Sequence, residues 1–162
     1  MSYRFHVAKP THGEEGGDIP LESALRDWWI AYPAPVSEVP YLDCGDVAKM
    51  VGSRSGEQGD YVVVDVRRKD HAGGHVRGSV QCPAQTFYDD LPSFYERFGE
   101  KKQVVFYCGS SHGRGPRCAR WYQDYLNDKG DTKSQASVMR GGFKEWKERF
   151  GGNDALTDRD AE

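Results

Sequence analysis

The sequence predicts an α/β fold: a mostly parallel central sheet with helices on both faces. Two observations carry that prediction. Tyr61–Val66 and Gln103–Tyr107 are short, continuous β-branched or apolar runs, the pattern of strands buried on both sides. Helix-length amphipathic segments alternate with them, as a parallel sheet with crossover helices requires. The 162 residues are enough for one domain with a real core.

Taken in order, residues 1–40 form an N-terminal extension. His12–Asp18 is rich in Gly and Glu, and Pro33, Pro35 and Pro40 punctuate the approach to the domain. Between them Leu21–Tyr32 reads as a short amphipathic helix, with Leu25, Trp28, Trp29 and Tyr32 near helical spacing. Its two tryptophans either pack on the domain or offer a partner surface. Residues 41–150 are the catalytic domain. A helix is predicted over Asp43–Val51, then a Gly/Ser loop over Ser53–Asp60, the Tyr61–Val66 strand and a short strand at Gly78–Cys82. Phe87, Leu91, Phe94, Tyr95 and Phe98 mark a helix interrupted or started near Pro92. The Gln103–Tyr107 strand leads to a helix over Gly115–Leu126, with Pro116 in its first turn, where proline is tolerated. A last strand at Ala136–Met139 and a helix over Phe143–Phe150 follow, and residues 151–162 read as an acidic, flexible tail.

Composition narrows the function. Hydrophobic residues make up 37% and charged residues 29%, an ordinary globular balance. No apolar run approaches a membrane span and no secretory signal opens the chain, so a cytoplasmic or nuclear location is expected. Residues 1–40 hold six acids and three bases, and 151–162 four acids and one base. The body between them carries fifteen acids and eighteen bases. That mildly basic body suits a small anionic substrate and is too weak for nucleic acid. Cys44, Cys82, Cys108 and Cys118 form no CxxC pair. With Gly73 and Gly74 between His71 and His75, no metal site is expected. Oligomeric state is not legible.

The segment from Val104 to Arg117 carries the chemistry. A buried strand delivers Cys108 to the carboxyl edge of the sheet, where open α/β proteins place ligands. Gly109, Ser110, Ser111, His112 and Gly113 follow, and Arg114 opens a helix. Small residues let successive backbone N–H groups turn inward as an anion nest, and the helix adds its unpaired amides and dipole. Arg114 can fork two hydrogen bonds to a tetrahedral oxyanion. The same positive field favours the Cys108 thiolate, the nucleophilic form. Thiolate attack on a bound phosphate ester gives a cysteinyl-phosphate, with Gly109–Arg114 stabilising the growing charge. A regulatory anion site without turnover is the alternative.

Val63-Val64-Asp65-Val66-Arg67, Asp70, Gly74-His75-Val76, Gly78, Arg140-Gly141-Gly142-Phe143 and Trp146, taken with the Cys108 loop, resemble a rhodanese-like domain over about Tyr41 to Phe150. The Cys-x5-Arg loop, one residue longer than in ordinary sulfurtransferases, is similar to the M-phase inducer phosphatase and eukaryotic arsenate reductase branch, as is Arg114-Gly115-Pro116. The resemblance implies arsenate reduction by Cys108 with glutathione or glutaredoxin as reductant and no bound cofactor, with phosphatase activity beside it. A protein tyrosine or dual-specificity phosphatase, a thiosulfate-type sulfurtransferase and a non-catalytic anion- or protein-binding module are the other readings. Three positions depart from the branch. Tyr107 precedes the nucleophile where histidine is usual, Val66 stands at the back-door cysteine position, and the loop has no carboxylate. His112 is then either the leaving-group acid or a solvated loop residue. Cys82 is either a resolving thiol for Cys108 or a buried small apolar residue. Asp65, Arg67 and His75 are expected to hold the domain together rather than react.

Overall fold

The computed structural model describes residues 27–53, 60–69 and 73–159. The chain divides into Met1–Pro35 and Val36–Glu162, so the boundary falls five residues before the expected one. In the first unit Trp28–Ala31 is one turn of 3-10 helix, with Trp28 and Trp29 edge to face at 5.7 Å. The rest of the predicted Leu21–Tyr32 helix up to residue 26 lies outside the described residues, as do positions 54–59, Asp70 and His71.

The second unit is built on five strands: β1 (Tyr41–Leu42), β2 (Tyr61–Asp65), β4 (Val80–Gln81), β5 (Gln103–Tyr107) and β6 (Gln135–Met139). They lie in the order β1-β6-β5-β2-β4, and every pairing is parallel. The two long apolar runs of the sequence occupy the centre, paired residue for residue from Tyr61↔Gln103 to Asp65↔Tyr107. Both have four of five residues buried, as strands covered on two faces must.

Alternation along the strands supplies two cores. On one face Val63, Val105, Tyr107 and Met139 meet Cys44 and Val47 of helix α1 (Cys44–Gly52) and Phe143 and Trp146 of helix α5 (Gly142–Phe150). Asp43 caps α1 by accepting from the Gly45 N–H at 2.7 Å. On the other face Phe106 lies 5.4–6.0 Å from the rings of Phe87, Phe94 and Tyr122. These belong to α2 (Ala84–Phe87), α3 (Leu91–Phe98) and α4 (Arg114–Lys129). The predicted Phe87–Phe98 helix is thus two helices, with Pro92 in the first turn of the second. Helix α4 runs three residues past the apolar pattern and stops at Gly130, which adopts φ 69° and donates to the Asn127 and Leu126 carbonyls.

The acidic tail departs from expectation. Thr157–Asp158 forms strand β7, antiparallel to β3 (His75–Val76). Thr157 is buried and accepts the Trp146 Nε1–H at 2.8 Å while donating to the Phe150 carbonyl at 2.7 Å. A two-residue strand is too short for periodicity to reveal, and the surrounding acids hid a threonine whose hydroxyl closes the core. His75 pairs with Asp158 at 3.3 Å, so its expected structural role runs through this ribbon. Among the described residues no helix is long and apolar enough to cross a membrane.

Candidate active site

Strand β5 ends at Tyr107, and the next residue, Cys108, is 2% exposed at the carboxyl edge of the sheet. Alternation turns Tyr107 and Cys108 to opposite sides. The chain then loops through residues 109–113 into α4. The Gly115 N–H in the first turn of that helix donates to Cys108 Sγ at 3.1 Å. This hydrogen bond ties the sulfur to the first turn of α4. A Cβ at Gly115 would sit 3.4 Å from Sγ and a tight 3.3 Å from the Cys108 nitrogen, so this position presses directly on the cysteine.

The loop is held from outside by α5. The Cys108 carbonyl accepts the Phe143 N–H and the Gly109 carbonyl accepts the Lys144 N–H, both at 2.9 Å. Across planar trans peptides, the N–H groups of Gly109 and Ser110 therefore point away from α5. Gly142, at φ 64°, permits this approach: a Cβ would stand 2.5 Å from the Gly109 carbonyl oxygen and 2.6 Å from that of Cys108. Among the described residues, none of the backbone amides from Gly109 to Gly113 donates to a protein acceptor. Five successive amides in the loop after the buried cysteine thus have no protein acceptor, two of them on residues that are buried or half-buried.

Arg114, half-buried, is the first residue of α4. Burial pushes the Cys118 thiol well above its usual value, the nearby Cys108 sulfur adds to the rise, and Arg117 and Arg114 partly offset it. His112 and Ser110 are exposed on the loop, whereas Ser111 is 2% exposed and left-handed at φ 61°.

Cys82 is not brought to Cys108. It follows β4, and its N–H bonds the Asp65 carbonyl at 2.9 Å, so β2 stands between the two cysteines. Two strand spacings separate their Cα atoms by about 9.6 Å, beyond the roughly 7 Å limit for a disulfide. Burial also pushes the Cys82 thiol up to about 11, against the thiolate a resolving residue needs. Sequence order put Cys82 at the same sheet edge, but only strand order could show the intervening strand.

Directly beside the loop, Asp65 is fully buried at the end of β2. Its Oδ1 accepts the Arg67 N–H and Nε–H at 3.0 and 2.9 Å, and its Oδ2 accepts Arg67 Nη2 at 2.7 Å and the Tyr107 hydroxyl at 2.8 Å. Arg67 also donates to the Gly74 carbonyl at 2.8 Å and lies 4.4 Å from the Phe143 ring centroid. The Tyr107 oxygen receives the Val76 N–H at 3.1 Å. Tyr107, the departure before Cys108, is therefore a hydroxyl clamp between β5, β2 and β3. Sequence reasoning missed this clamp, the Gly115 donor and the α5 amides that hold the loop. Gly141-Gly142 ahead of a helix was the available signal for the last.

Comparison with known proteins agrees with this architecture. The model of the Rhodanese-like domain matches residues 48–149. Dual specificity phosphatase ibp1 of Schizosaccharomyces pombe is 28% identical over 114 residues, covering 60% of this chain and 83% of that protein. Arsenate reductase 2.1 of Oryza sativa subsp. japonica is 32% identical over 87 residues, covering 52% of this chain and about half, 54%, of that protein. Among solved structures, a yeast protein tyrosine phosphatase of the Rhodanese family superimposes with a TM-score of 0.65 at 25% identity, covering 75% of this chain and 93% of that one. The As-Sb reductase of Leishmania major has a TM-score of 0.61 at 19% identity, a likeness of fold. With its parallel sheet and its cysteine at the strand-to-helix loop, the chain belongs to the Rhodanese-like domain family.

Proposed function

We propose that this protein is a cysteine-dependent enzyme acting on a tetrahedral oxyanion, and that its activity is arsenate reduction with phosphatase activity beside it. The observation that carries the reading is the row of unpaired amides from Gly109 to Gly113, wrapped around a cysteine whose sulfur receives the Gly115 N–H. Such a ring is complementary to a XO₄ anion centred over the sulfur. Cys108 attacks arsenic(V) and a hydroxyl departs as water. A glutathione thiol then attacks the Cys108 sulfur. The two sulfurs join as a mixed disulfide while the Cys108 S–As bond breaks and its electron pair passes to arsenic, which leaves as arsenic(III); glutaredoxin with a second glutathione then reduces the disulfide. An external thiol fits the site because β2 separates Cys82 from Cys108. Arg114 neutralises the charge that grows on the equatorial oxygens.

The phosphatase reading has its own support. The chain spans 83% of the S. pombe dual specificity phosphatase but 54% of the rice arsenate reductase. In that chemistry the same adduct is a cysteinyl-phosphate cleaved by water, and the leaving oxygen needs a proton. His112, exposed on the loop, is the candidate donor. Parallel assays decide between them: p-nitrophenyl phosphate turnover, and arsenite formation with glutathione and glutaredoxin, each beside Cys108→Ser. Arsenite formation that outpaces phosphate release and needs Cys108 supports the reductase. The reverse ranking makes the protein a phosphatase, and silence in both assays sinks the enzymatic reading.

A further inference from the structure

Strand register sets Arg140 beside Cys108. Phe106 of β5 pairs with Val138 of β6, and the Arg140 N–H still bonds the Leu42 carbonyl of β1 at 2.8 Å, so the ladder holds through residue 140. Two residues beyond the Phe106↔Val138 pair stand Cys108 and Arg140, one strand spacing or ~4.8 Å apart. Alternation turns both side chains to the same face of the sheet. The segments stay together past the strands, since the Phe143 N–H bonds the Cys108 carbonyl at 2.9 Å. Arg140 is exposed, and its guanidinium lies 5.3 Å from the centroid of the Tyr41 ring, itself 42% exposed.

That charge is seated on a ring but committed to no acid. Among the described residues the Arg140 side chain makes no hydrogen bond or ion pair. Arg149, which also lies over an aromatic ring, is by contrast paired with Asp43 and Glu145. Asp43 is held below its usual value first by the Gly45 N–H and next by Arg149, with Arg140 contributing least. Lys144, exposed like Arg140, comes from the same short segment, where its N–H bonds the Gly109 carbonyl at 2.9 Å. Residues 140–144 therefore press two cations and no acid against the Cys108 loop.

We infer that Arg140 is a substrate-positioning residue for a second anionic group, so that the phosphate esters this site prefers carry a carboxylate or phosphate beside the phosphoryl group attacked by Cys108. This rests on the phosphatase side of the proposed function and names its substrate class. Strand β1 lies two strand spacings, ~9.6 Å, from β5. Leaning toward Tyr41, the guanidinium stands to the side of an anion over the sulfur, at the reach of a neighbouring group. Its planar fork suits a carboxylate or a phosphate, and the ring beneath holds it in place before the ligand arrives. Arsenate, with a single anionic centre, has no group for this contact.

The test compares kcat/KM in the full chain for two substrate pairs: phenyl phosphate against 1,3-phenylene bisphosphate, and phosphotyrosyl tripeptides flanked by alanine against the same flanked by glutamate. Wild type is expected to favour the doubly anionic member of at least one pair, chiefly through KM, and the pair that shows it identifies the source of the second anion. In Arg140→Gln that ratio is expected to fall about fivefold, as loss of one exposed charge contact allows. Arg140→Lys should keep part of it, and high salt should erode it in wild type. A preference absent from both pairs, or left intact by Arg140→Gln, overturns the inference while the phosphatase reading stands. If wild type turns over none of the four esters, the phosphatase reading falls and this inference with it.

Discussion

Two polar clusters lie side by side at the carboxyl edge of β2 and β5, and they follow opposite rules. Around Asp65 every oxygen is used: two donors reach each one, and Tyr107 both gives and receives. Around Cys108 five successive amides and one serine hydroxyl have no protein acceptor, and only the sulfur and the outward carbonyls are held. The difference teaches how the fold divides its work. A saturated buried network fixes geometry, and an unsaturated one held rigid from behind is a receptor. The loop can stay open because α5 grips its carbonyls and the Asp65 cluster anchors the strand that delivers it.

Exchanging what each cluster supplies should break that division. The largest effect belongs to Cys108→Ser, which removes the nucleophile: turnover is expected to fall by at least ~10³-fold, while phosphate still raises the melting temperature. Arg114→Ala is expected to weaken turnover and anion stabilisation together. A Cys108→Ser enzyme that keeps most of its activity would falsify the mechanism. Asp65→Ala attacks the saturated side. It strands the buried Arg67 guanidinium and the Tyr107 hydroxyl, and breaking such a pair costs about 3–5 kcal/mol. For a chain of this size that corresponds to a melting temperature lower by on the order of 10 °C. Calorimetry of Asp65→Ala showing no loss would mean the cluster is not structural.

The saturated cluster was easier to read than the open one. Val-Val-Val-Asp-Val declared a buried strand, and an aspartate that ends such a strand with arginine two residues on announces a buried ion pair. The strand end and the loop were legible for a similar reason: a buried apolar run stops at Cys108, and small residues follow. What the sequence hid were relations between distant segments. Nothing local shows that Phe143 and Lys144 hold the carbonyls of Cys108 and Gly109, that β2 separates Cys82 from Cys108, or that Ser111 is left-handed. The two-residue strands β1, β3 and β7 fall below the length at which alternation carries information.

Gly142 tests the coupling between the rigid support and the receptor. Gly142→Ala puts a methyl against the Cys108 and Gly109 carbonyls at a left-handed residue. Overpacking of this kind costs about 1–3 kcal/mol, with backbone strain added. Because the displaced atoms belong to the loop, turnover should drop by a larger factor than at a glycine with open space around its Cβ position, such as Gly152→Ala. Equal and small effects on kcat/KM in the two variants would show that the α5 grip is not what shapes the nest.

The smallest effect is a pH dependence, and it separates Cys108 from the cysteines that belong to the packing. Burial pushes the thiols of Cys44 and Cys82 up to about 11, from a usual value near 9.0. A thiol whose proton is held more tightly in the folded state stabilises the fold fully below the unfolded value. That contribution is lost as pH rises through the folded one. The melting temperature should therefore decline between about pH 8.5 and 11, and Cys82→Ala should make that decline shallower. In the same window iodoacetamide should reach Cys82 only as the pH approaches 11. Labelling of Cys82 at neutral pH as fast as that of Cys108 would place it among the reactive groups and remove the contrast between a receptor cysteine and a packing one.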